Sequence, residues 1–236
     1  MTRPKREAGE AVAEFLAKCK QRDYHGEGSL FIGIDPGATG AIAFVYRFSN
    51  GQRACCVEDI PSYTIELASK KKCRVNKKTG KRLPAEHKTR TACDPTRCRL
   101  IFENVKPLID RVKLLLEETI IKPTGAFKTS MITIQSTSAS FHMWPMYLME
   151  IGVSFQTIPP ADWKEAYGIS HWDKDKVLRA ARQKFSGVDL SLAGDHNRAE
   201  ALCLADYLAD LDSGSITGFA GLKVPKAKPK PRKKKP

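Results

Sequence analysis

Residues Phe31 to Val45 read FIGIDPGATGAIAFV, and this stretch decides the fold. Two apolar runs flank a turn of small residues, Pro36 to Gly40, and Asp35 is the last residue of the first run. Apolar runs of this length, bounded by Gly and Pro, predict two core strands joined by a tight turn. A carboxylate at the end of a buried strand is unfavourable unless it is paired or binds a metal ion. Asp35 is therefore a candidate functional residue.

Composition indicates one globular core and an anionic partner. The chain has 236 residues, 42% of them hydrophobic, and a formal net charge of +14. Such an excess favours nucleic acid as the partner, with a soluble protein carrying basic tails as the alternative. No apolar run approaches the roughly 20 residues that cross a membrane, and residues 1–10 are too polar for a secretory signal. Seven cysteines without framework spacing predict reduced thiols in a reducing compartment.

The first part of the chain predicts an antiparallel meander. Residues 1–28 are interpreted as an N-terminal arm that contains a short helix. Strands are expected at about 30–35, 41–48 and 52–59, because each is an apolar run between turn residues. The last two runs are separated by Ser49-Asn50-Gly51, and Asn-Gly is a strong hairpin signal.

The middle of the chain is dominated by a basic stretch, 66–99, which lacks apolar periodicity and is predicted to be an exposed, mobile inserted loop. A helix is expected to follow from Asp94-Pro95 to about Thr119, since its apolar residues recur at helical spacing. Pro107 would kink that helix.

The remaining elements complete an α/β pattern. Met131 to Gln135 is predicted as a fourth strand, 138–151 as a helix and 153–158 as a fifth strand. Helices are expected at about 173–185 and 195–212, and residues 213–236 form a basic tail that is predicted to be disordered. The predicted fold class is α/β: a mixed five-stranded sheet flanked by helices.

The order of several short motifs resembles the RuvC-like Holliday-junction resolvases, which have a ribonuclease-H-like fold. The resemblance runs over about residues 30–212 and leaves out the basic insertion and both tails. It rests on the following pieces: Ile34-Asp35-Pro36-Gly37 with Gly40-Ala41, the predicted strand that ends at Gln135, Pro160-Ala161-Asp162-Trp163-Lys164, Lys174-Asp175-Lys176, and Asp195-His196-Asn197-Arg198-Ala199-Glu200-Ala201-Leu202.

The resemblance implies a homodimeric, metal-dependent endonuclease that nicks two strands symmetrically across a four-way DNA junction. Hydrolysis of a phosphodiester by two divalent ions about 4 Å apart needs carboxylate ligands, and Mg²⁺ prefers such oxygens, with Mn²⁺ as a substitute. Implied metal ligands are Asp35, Asp195 and Glu200, together with position 135. His196 shares a helix face with Glu200 and would act as a ligand or help to place the attacking water.

Gln135 departs from the family pattern, which has a glutamate at the end of this strand. Two explanations are open: a substitution made to trap uncleaved DNA, which we favour because the other motif pieces are present, or a native, weakened enzyme. Either predicts a protein that binds junctions and cuts them poorly.

The same candidate residues have simpler interpretations. Asp35 would be satisfied by turn amides, Asp195 would be only an N-cap, Glu200 would be a solvated helix residue, and His196 would form an ordinary hydrogen bond. Cys73, His87, Cys93 and Cys98 suggest a zinc site, but only the last two cysteines approach ligand spacing.

Candidate DNA contacts lie in the basic stretch, at two further lysines and in one aromatic segment. Basic side chains would contact phosphates, and aromatic ones would stack on opened bases, the alternative being a core or dimer-interface role. The candidates are Lys70, Lys71, Lys72, Lys77, Lys78, Lys81, Arg82, Phe141, His142, Trp144, Lys164 and Lys174.

Two other functional classes remain open at this point. One is a non-catalytic junction-binding protein with a native Gln135. The other is a sugar-kinase-like or actin-like ATPase, which needs a second glycine-rich phosphate loop that the sequence lacks. The expected location is the cytoplasm of a bacterial or phage-infected cell, or alternatively an organelle nucleoid.

Overall fold

The computed structural model describes residues 7–23, 26–37, 39–70, 87–119 and 131–222, with the backbone alone at 67–70, 87–88 and 131–137. Five strands form one mixed sheet in the order β3-β2-β1-β6-β7, and β4 pairs with β5 in a separate ribbon. The strands are β1 (Ser29–Asp35), β2 (Ala41–Arg47), β3 (Arg53–Asp59), β4 (Ser62–Lys70), β5 (His87–Cys93), β6 (Val112–Glu117) and β7 (Gln156–Ile158). This order, with β2 antiparallel to β1 and β6 parallel to it, confirms the predicted ribonuclease-H-like α/β class.

Helices cover both faces of the sheet. They are α1 (Glu10–Arg22), α2 (Pro95–Glu103), α3 (Met131–Glu150), α4 (Pro160–Ala166), α5 (Lys174–Lys184) and α6 (His196–Asp212), and a 3₁₀ helix spans Lys106–Arg111. Alternate residues of β1 belong to different cores: Phe31 packs with α5 and α6, whereas Ile32 packs with α1, α2 and α3. The near-continuous apolar runs of β1 and β2 therefore arise because these strands are buried on both sides.

Two glycines set the backbone geometry of the stretch from Phe31 to Val45. A Cβ on Gly33 would lie 2.6 Å from the backbone of α6, so α6 can cross β1 closely only because this residue has no side chain. A Cβ on Gly40 would lie 2.0 Å from the carbonyl oxygen of Asp35, which limits the turn after β1 to glycine at this position. The Asn50-Gly51 hairpin is confirmed, with Gly51 in the left-handed region at φ 81°.

The predicted helix from 94 to 119 is wrong in its second half. Helix α2 ends at Glu103, the 3₁₀ helix contains Pro107, and Val112–Glu117 is strand β6. A central parallel strand is apolar on both faces, and its residues happened to continue the helical spacing of α2.

The predicted strand 131–135 is also wrong, because these residues begin helix α3. The β-branched run Met131 to Gln135 suggested a strand, but β propensity is weak compared with tertiary context. The fourth strand of the sheet is β6 instead.

Part of the predicted insertion is regular structure. Stretch 66–99 contains the end of β4, all of β5 and the start of α2, while 71–86 lie outside the described residues. The two strands of the ribbon pair in an antiparallel register that runs from Ser62 opposite Cys93 to Glu66 opposite Thr89. Both strands contain Thr or Ser residues.

Both ends of the described chain pack onto the domain. Helix α1, within the predicted arm, buries Val12, Leu16 and Cys19 in the core. At the other end, Phe219 belongs to the opposite core, so the predicted tail is packed as far as Phe219, and 220–222 are exposed. Residues 223–236 are outside the described part. Within the described ranges, no helix has both the length and the apolar character needed to cross a membrane.

Candidate active site

Three carboxylates converge where β1 and β6 end. Asp35 and Glu117 are the last residues of these two neighbouring parallel strands, so the sheet brings them to one edge. Glu200 lies one turn into α6, which crosses β1 at Gly33. One oxygen from each of the three side chains lies within 4.8 Å of the others.

Asp35 is a carboxyl group with few partners. The Gly37 N–H donates to Oδ1 at 3.3 Å. Burial raises the pKa of Asp35, and the nearby charge of Glu200 raises it further, whereas the Gly37 hydrogen bond, Lys174 and Lys164 act in the opposite direction. Such an environment favours a neutral acid or a bound cation.

Glu117 is held on one side by an indole. It is 8% exposed, and Trp163, which is fully buried, donates from Nε1 to Glu117 Oε1 at 3.0 Å. Burial, and then the charge of Asp35, raise the pKa of Glu117 to about 7. The indole fixes the orientation of the carboxylate without supplying a charge.

Lys164 places one ammonium among the three acids. Its Nζ lies 3.0 Å from Glu200 Oε2 and 3.8 Å from Glu117 Oε1. With all four groups ionised, three negative charges and one positive charge leave two negative charges. A set of carboxylate oxygens with this excess suits a hard divalent cation such as Mg²⁺.

The first turn of α6 is tied to the turn after β1. Asn197 donates from Nδ2 to the Thr39 carbonyl at 2.6 Å. Asn197 precedes Glu200 by three residues and so shares its helix face. It is therefore a further polar residue beside the site, and it was not among the site residues predicted from the sequence. Spacing along α6 was the available signal.

Asp195 and His196 stand at the start of helix α6, and their side chains contact residues other than the three carboxylates. Asp195 is 3% exposed and accepts from the Leu192 N–H at 2.8 Å; it is not in the three-carboxylate group of the described residues. His196 has Nδ1 3.2 Å from the Lys174 carbonyl oxygen and Nε2 3.6 Å from Asp175 Oδ1, so both ring nitrogens face α5. Their roles as metal ligands stay predictions.

Gln135 does not occupy the place that was predicted for it. It lies in α3, and Glu117 stands at the end of the strand beside β1. A carboxylate therefore stands at the end of the strand next to β1, and the hypothesis that Gln135 replaces a catalytic glutamate is no longer supported. The missed signal was in the sequence: LLLE at 114–117 is an apolar run that ends in a carboxylate, as FIGID at 31–35 is.

The predicted DNA-binding residues fall into three groups. Lys71, Lys72, Lys77, Lys78, Lys81 and Arg82 lie outside the described residues, and Lys70 is described by its backbone in β4. Lys164 and Lys174 border the carboxylates. In α3, His142 is exposed and Phe141 half-buried, but Trp144 is fully buried against Phe102 and Tyr147, which is incompatible with stacking on a base.

The zinc hypothesis gains no support. Cys93 is buried and contacts Ser140 Oγ at 3.4 Å, and Cys98 is fully buried. Burial raises the pKa of both thiols, which disfavours the thiolate that zinc requires. Cys73 lies outside the described part, and His87 is described only by its backbone.

The pH dependence of the site follows from the raised pKa values. Mg²⁺ binding requires ionised carboxylates, so we expect Mg²⁺ affinity to fall as pH drops below about 7. In the metal-free protein the sign for stability is opposite: the folded state holds the proton more tightly, so the unfolding free energy falls as pH rises from about 4.5 to 7. Calorimetric titration with Mg²⁺ between about pH 5.5 and 8 measures the affinity, and urea unfolding of the metal-free protein over about pH 4.5 to 7 measures the stability. A flat affinity profile would contradict the assignment of Glu117.

Comparison with known proteins yields structural similarity alone. No protein-family profile matches the chain, and no curated protein matches it in sequence. The similar solved structures include Thermus thermophilus RuvC, at 18% identity and a TM-score of 0.41, and T. thermophilus RuvC in complex with Holliday junction substrate, at 15% identity and a TM-score of 0.41. Each comparison covers 79% of this chain and 97% of the other. The fold assignment therefore rests on the strand order of this chain, and the candidate active site rests on its own geometry.

Proposed function

We propose that this protein is a structure-selective endonuclease that resolves four-way DNA junctions by paired, Mg²⁺-dependent nicks. The observation that carries the nuclease proposal is the convergence of Asp35, Glu117 and Glu200 within 4.8 Å. The preference for four-way junctions is supported by the order of sequence motifs described above, and by the net charge of +14, which suits a DNA partner.

The residues fit a divalent cation. Asp35, Glu117 and Glu200 would hold Mg²⁺, since they offer hard oxygen ligands. The pKa values of Asp35 and Glu117 are raised chiefly by burial and also by neighbouring carboxylates, and a bound cation would favour their ionised forms. Two such ions, when bound, would activate water and neutralise the leaving oxygen of the phosphodiester.

Three side chains that neighbour the carboxylates have separate roles in the proposed active site. Trp163 fixes Glu117 through Oε1 and leaves Oε2 for a ligand. Lys164 lies within salt-bridge distance of two of the carboxylates and supplies a positive charge where a DNA phosphate would arrive. Lys174, at the start of α5, adds charge close enough to lower the pKa of Asp35.

Paired nicks need two active sites, so we propose a homodimer. Helix α3 exposes two large apolar side chains one turn apart: Met146 is 70% exposed and Met149 is 65% exposed. In the resembled family this helix lies near the subunit interface, and exposed apolar residues of this size are typical of contact surfaces.

The double variant Met146→Glu/Met149→Glu is expected to be monomeric in sedimentation experiments, because each change buries a charge in the interface. Met143→Leu, on the less exposed side of the same helix, serves as the control and should leave the mass unchanged. A double variant that keeps the dimer mass would refute the α3 interface.

The function is tested with a synthetic four-way junction and a linear duplex of the same sequence. We expect Mg²⁺-dependent nicks at symmetric positions in two opposed strands of the junction, and none above background in the duplex. Binding of the junction without nicking in Mg²⁺ or Mn²⁺ would favour the non-catalytic alternative. That alternative depended on an amide at the end of the fourth strand, where Glu117 now stands. The bacterial, phage or organellar location stays a prediction.

A further inference from the structure

Strand β3 is an edge of the sheet. It pairs with β2 and has no strand on its other side among the described residues. Phe48 N–H donates to the Gln52 carbonyl and Ile60 N–H donates to the Gly40 carbonyl, so even-numbered positions face β2. Because backbone groups alternate along a strand, those of Arg53, Cys55 and Val57 face outwards.

A groove follows this edge along its length. Three cavities of about 520, 390 and 440 Å³ adjoin β3 and share lining residues, among them Cys55. One wall is α1 with the residues just before it; its lining side chains are Ala8, Ala11, Phe15, Lys18 and Arg22. The other wall is the segment after α5, which contributes Phe185, Gly187 and Val188. The walls lie on opposite faces of the sheet, so the groove is a slot into which one more strand would fit.

Two buried polar atoms in the groove lack a partner. Glu58 Oε2 and Arg198 Nε are both inaccessible to solvent and form no hydrogen bond, and Arg198 is 9% exposed as a whole residue. Arg198 already donates to the outward carbonyl of Val57 at 2.9 Å. Each atom costs free energy when it is left unsatisfied, and both side chains line the 520 Å³ cavity beside β3.

The groove is electrically polarised from end to end. Near Arg53 it carries Lys18, Arg22 and Lys184, partly offset by Asp206 and Asp210, which pair with Arg53 and Lys184. At the other end it carries Glu58, Asp59 and Asp189, partly offset by Arg97 and Arg198. A strand that runs antiparallel to β3 would place its C-terminal end beside Lys18 and Arg22, so carboxylates at that end complement the groove.

Two other occupants fit less well. A second copy pairing through β3 would bring its own α1 onto the same face about one strand spacing away, roughly 5 Å, whereas packed helices need 8–10 Å. The lysine-rich 223–236 segment of this chain has the wrong charge for the Lys18 end.

We infer that the β3 groove binds an extended peptide of a partner protein by strand addition, with small apolar residues in its middle and acidic residues at its C-terminal end. Main-chain hydrogen bonds to the outward edge of β3 supply affinity, and the alternate side chains fill the space beside Ala11 and Val188. The groove would thereby recruit the protein to a partner without using the carboxylate site.

The test uses a fluorescein-labelled peptide, Thr-Val-Ala-Val-Thr-Asp-Asp, and the full chain in an anisotropy titration. Replacing the two terminal aspartates by lysines should weaken binding at least roughly tenfold, and proline in place of the alanine should abolish it because a ladder donor is lost. Lys18→Glu/Arg22→Glu should reverse the preference between the two peptides. Lys20→Glu, an exposed charge on α1 that does not line the groove, is the matched control and should have little effect.

The inference is overturned by any of four results, three from the binding titrations and one from sedimentation. The three titration results are no saturable binding of the acidic peptide up to roughly 1 mM, a loss with Lys20→Glu equal to that with Lys18→Glu/Arg22→Glu, and equal binding of the proline peptide. Sedimentation of the free chain gives a fourth: if Ala11→Trp, which fills the groove, lowers the oligomeric mass, a second copy is the occupant and the peptide proposal fails. Junction nicking should be unchanged in all these variants, so the outcome is independent of the proposed endonuclease function.

Discussion

Replacing Glu117 by glutamine is expected to reduce Mg²⁺-dependent nicking of a four-way junction by at least about a hundredfold. Loss of a group that merely orients a metal ligand costs tenfold to a hundredfold, and Glu117 is proposed as a ligand itself. The amide keeps the size of the side chain and its contact with Trp163, so the fold should survive. Single-turnover cleavage at saturating protein, with Mg²⁺ varied, measures the loss.

The matched control for this variant is Gln135→Glu. A carboxylate at position 135 is expected to leave nicking within about threefold of the parent protein, since the residue lies in α3 and not at the strand end. Junction binding in Ca²⁺, measured by gel shift, should be similar for all three proteins. A strong gain of nicking from Gln135→Glu, with no loss from Glu117→Gln, would reverse the assignment of the two positions.

Replacing Asp210 by alanine is expected to lower the unfolding free energy by about 3–5 kcal/mol, because the change breaks a buried charged network. Asp210 is fully buried. Its Oδ1 accepts from Arg53 at 2.6 Å, and its Oδ2 accepts from the N–H and hydroxyl of Thr217 at 2.6 and 2.8 Å. Burial acts to raise the pKa of Asp210, but these hydrogen bonds and the Arg53 charge outweigh it and lower the pKa. Its stabilising contribution is therefore lost as pH falls through the lowered pKa, and urea unfolding at pH 7 measures it.

Asp212, the last residue of α6, provides the comparison. Its side chain is 16% exposed, against 1% for Asp210, and it pairs with the half-buried Arg47 and the exposed Lys113. Asp212→Asn is expected to cost about 1 kcal/mol, since ion pairs that stay in contact with solvent contribute little. Equal costs at the two positions would mean that the network around Asp210 does not anchor the 213–222 segment.

Local sequence patterns determined the parts of the fold where pattern and burial agree. Strands β1 to β3 were predicted because their apolar runs are bounded by Pro36, Gly40 and Asn50-Gly51, which encode turns by backbone preference alone. Asp35 was recognised as a site residue because its carboxylate ends an apolar run, whereas Glu200 was implied by the family resemblance. The family resemblance gave the order of the elements.

Tertiary structure alone decided which strand stands beside β1 and therefore which carboxylate joins Asp35. The sequence has two apolar runs, 112–117 and 131–135, that satisfy the same local rule, and each ends in a residue that can bind or mimic a ligand. The choice between them depends on β6 pairing with β1 in parallel, a contact between residues some eighty positions apart. Local periodicity carries no information about such a pairing, since a strand buried on both faces loses the alternation that distinguishes it from a helix.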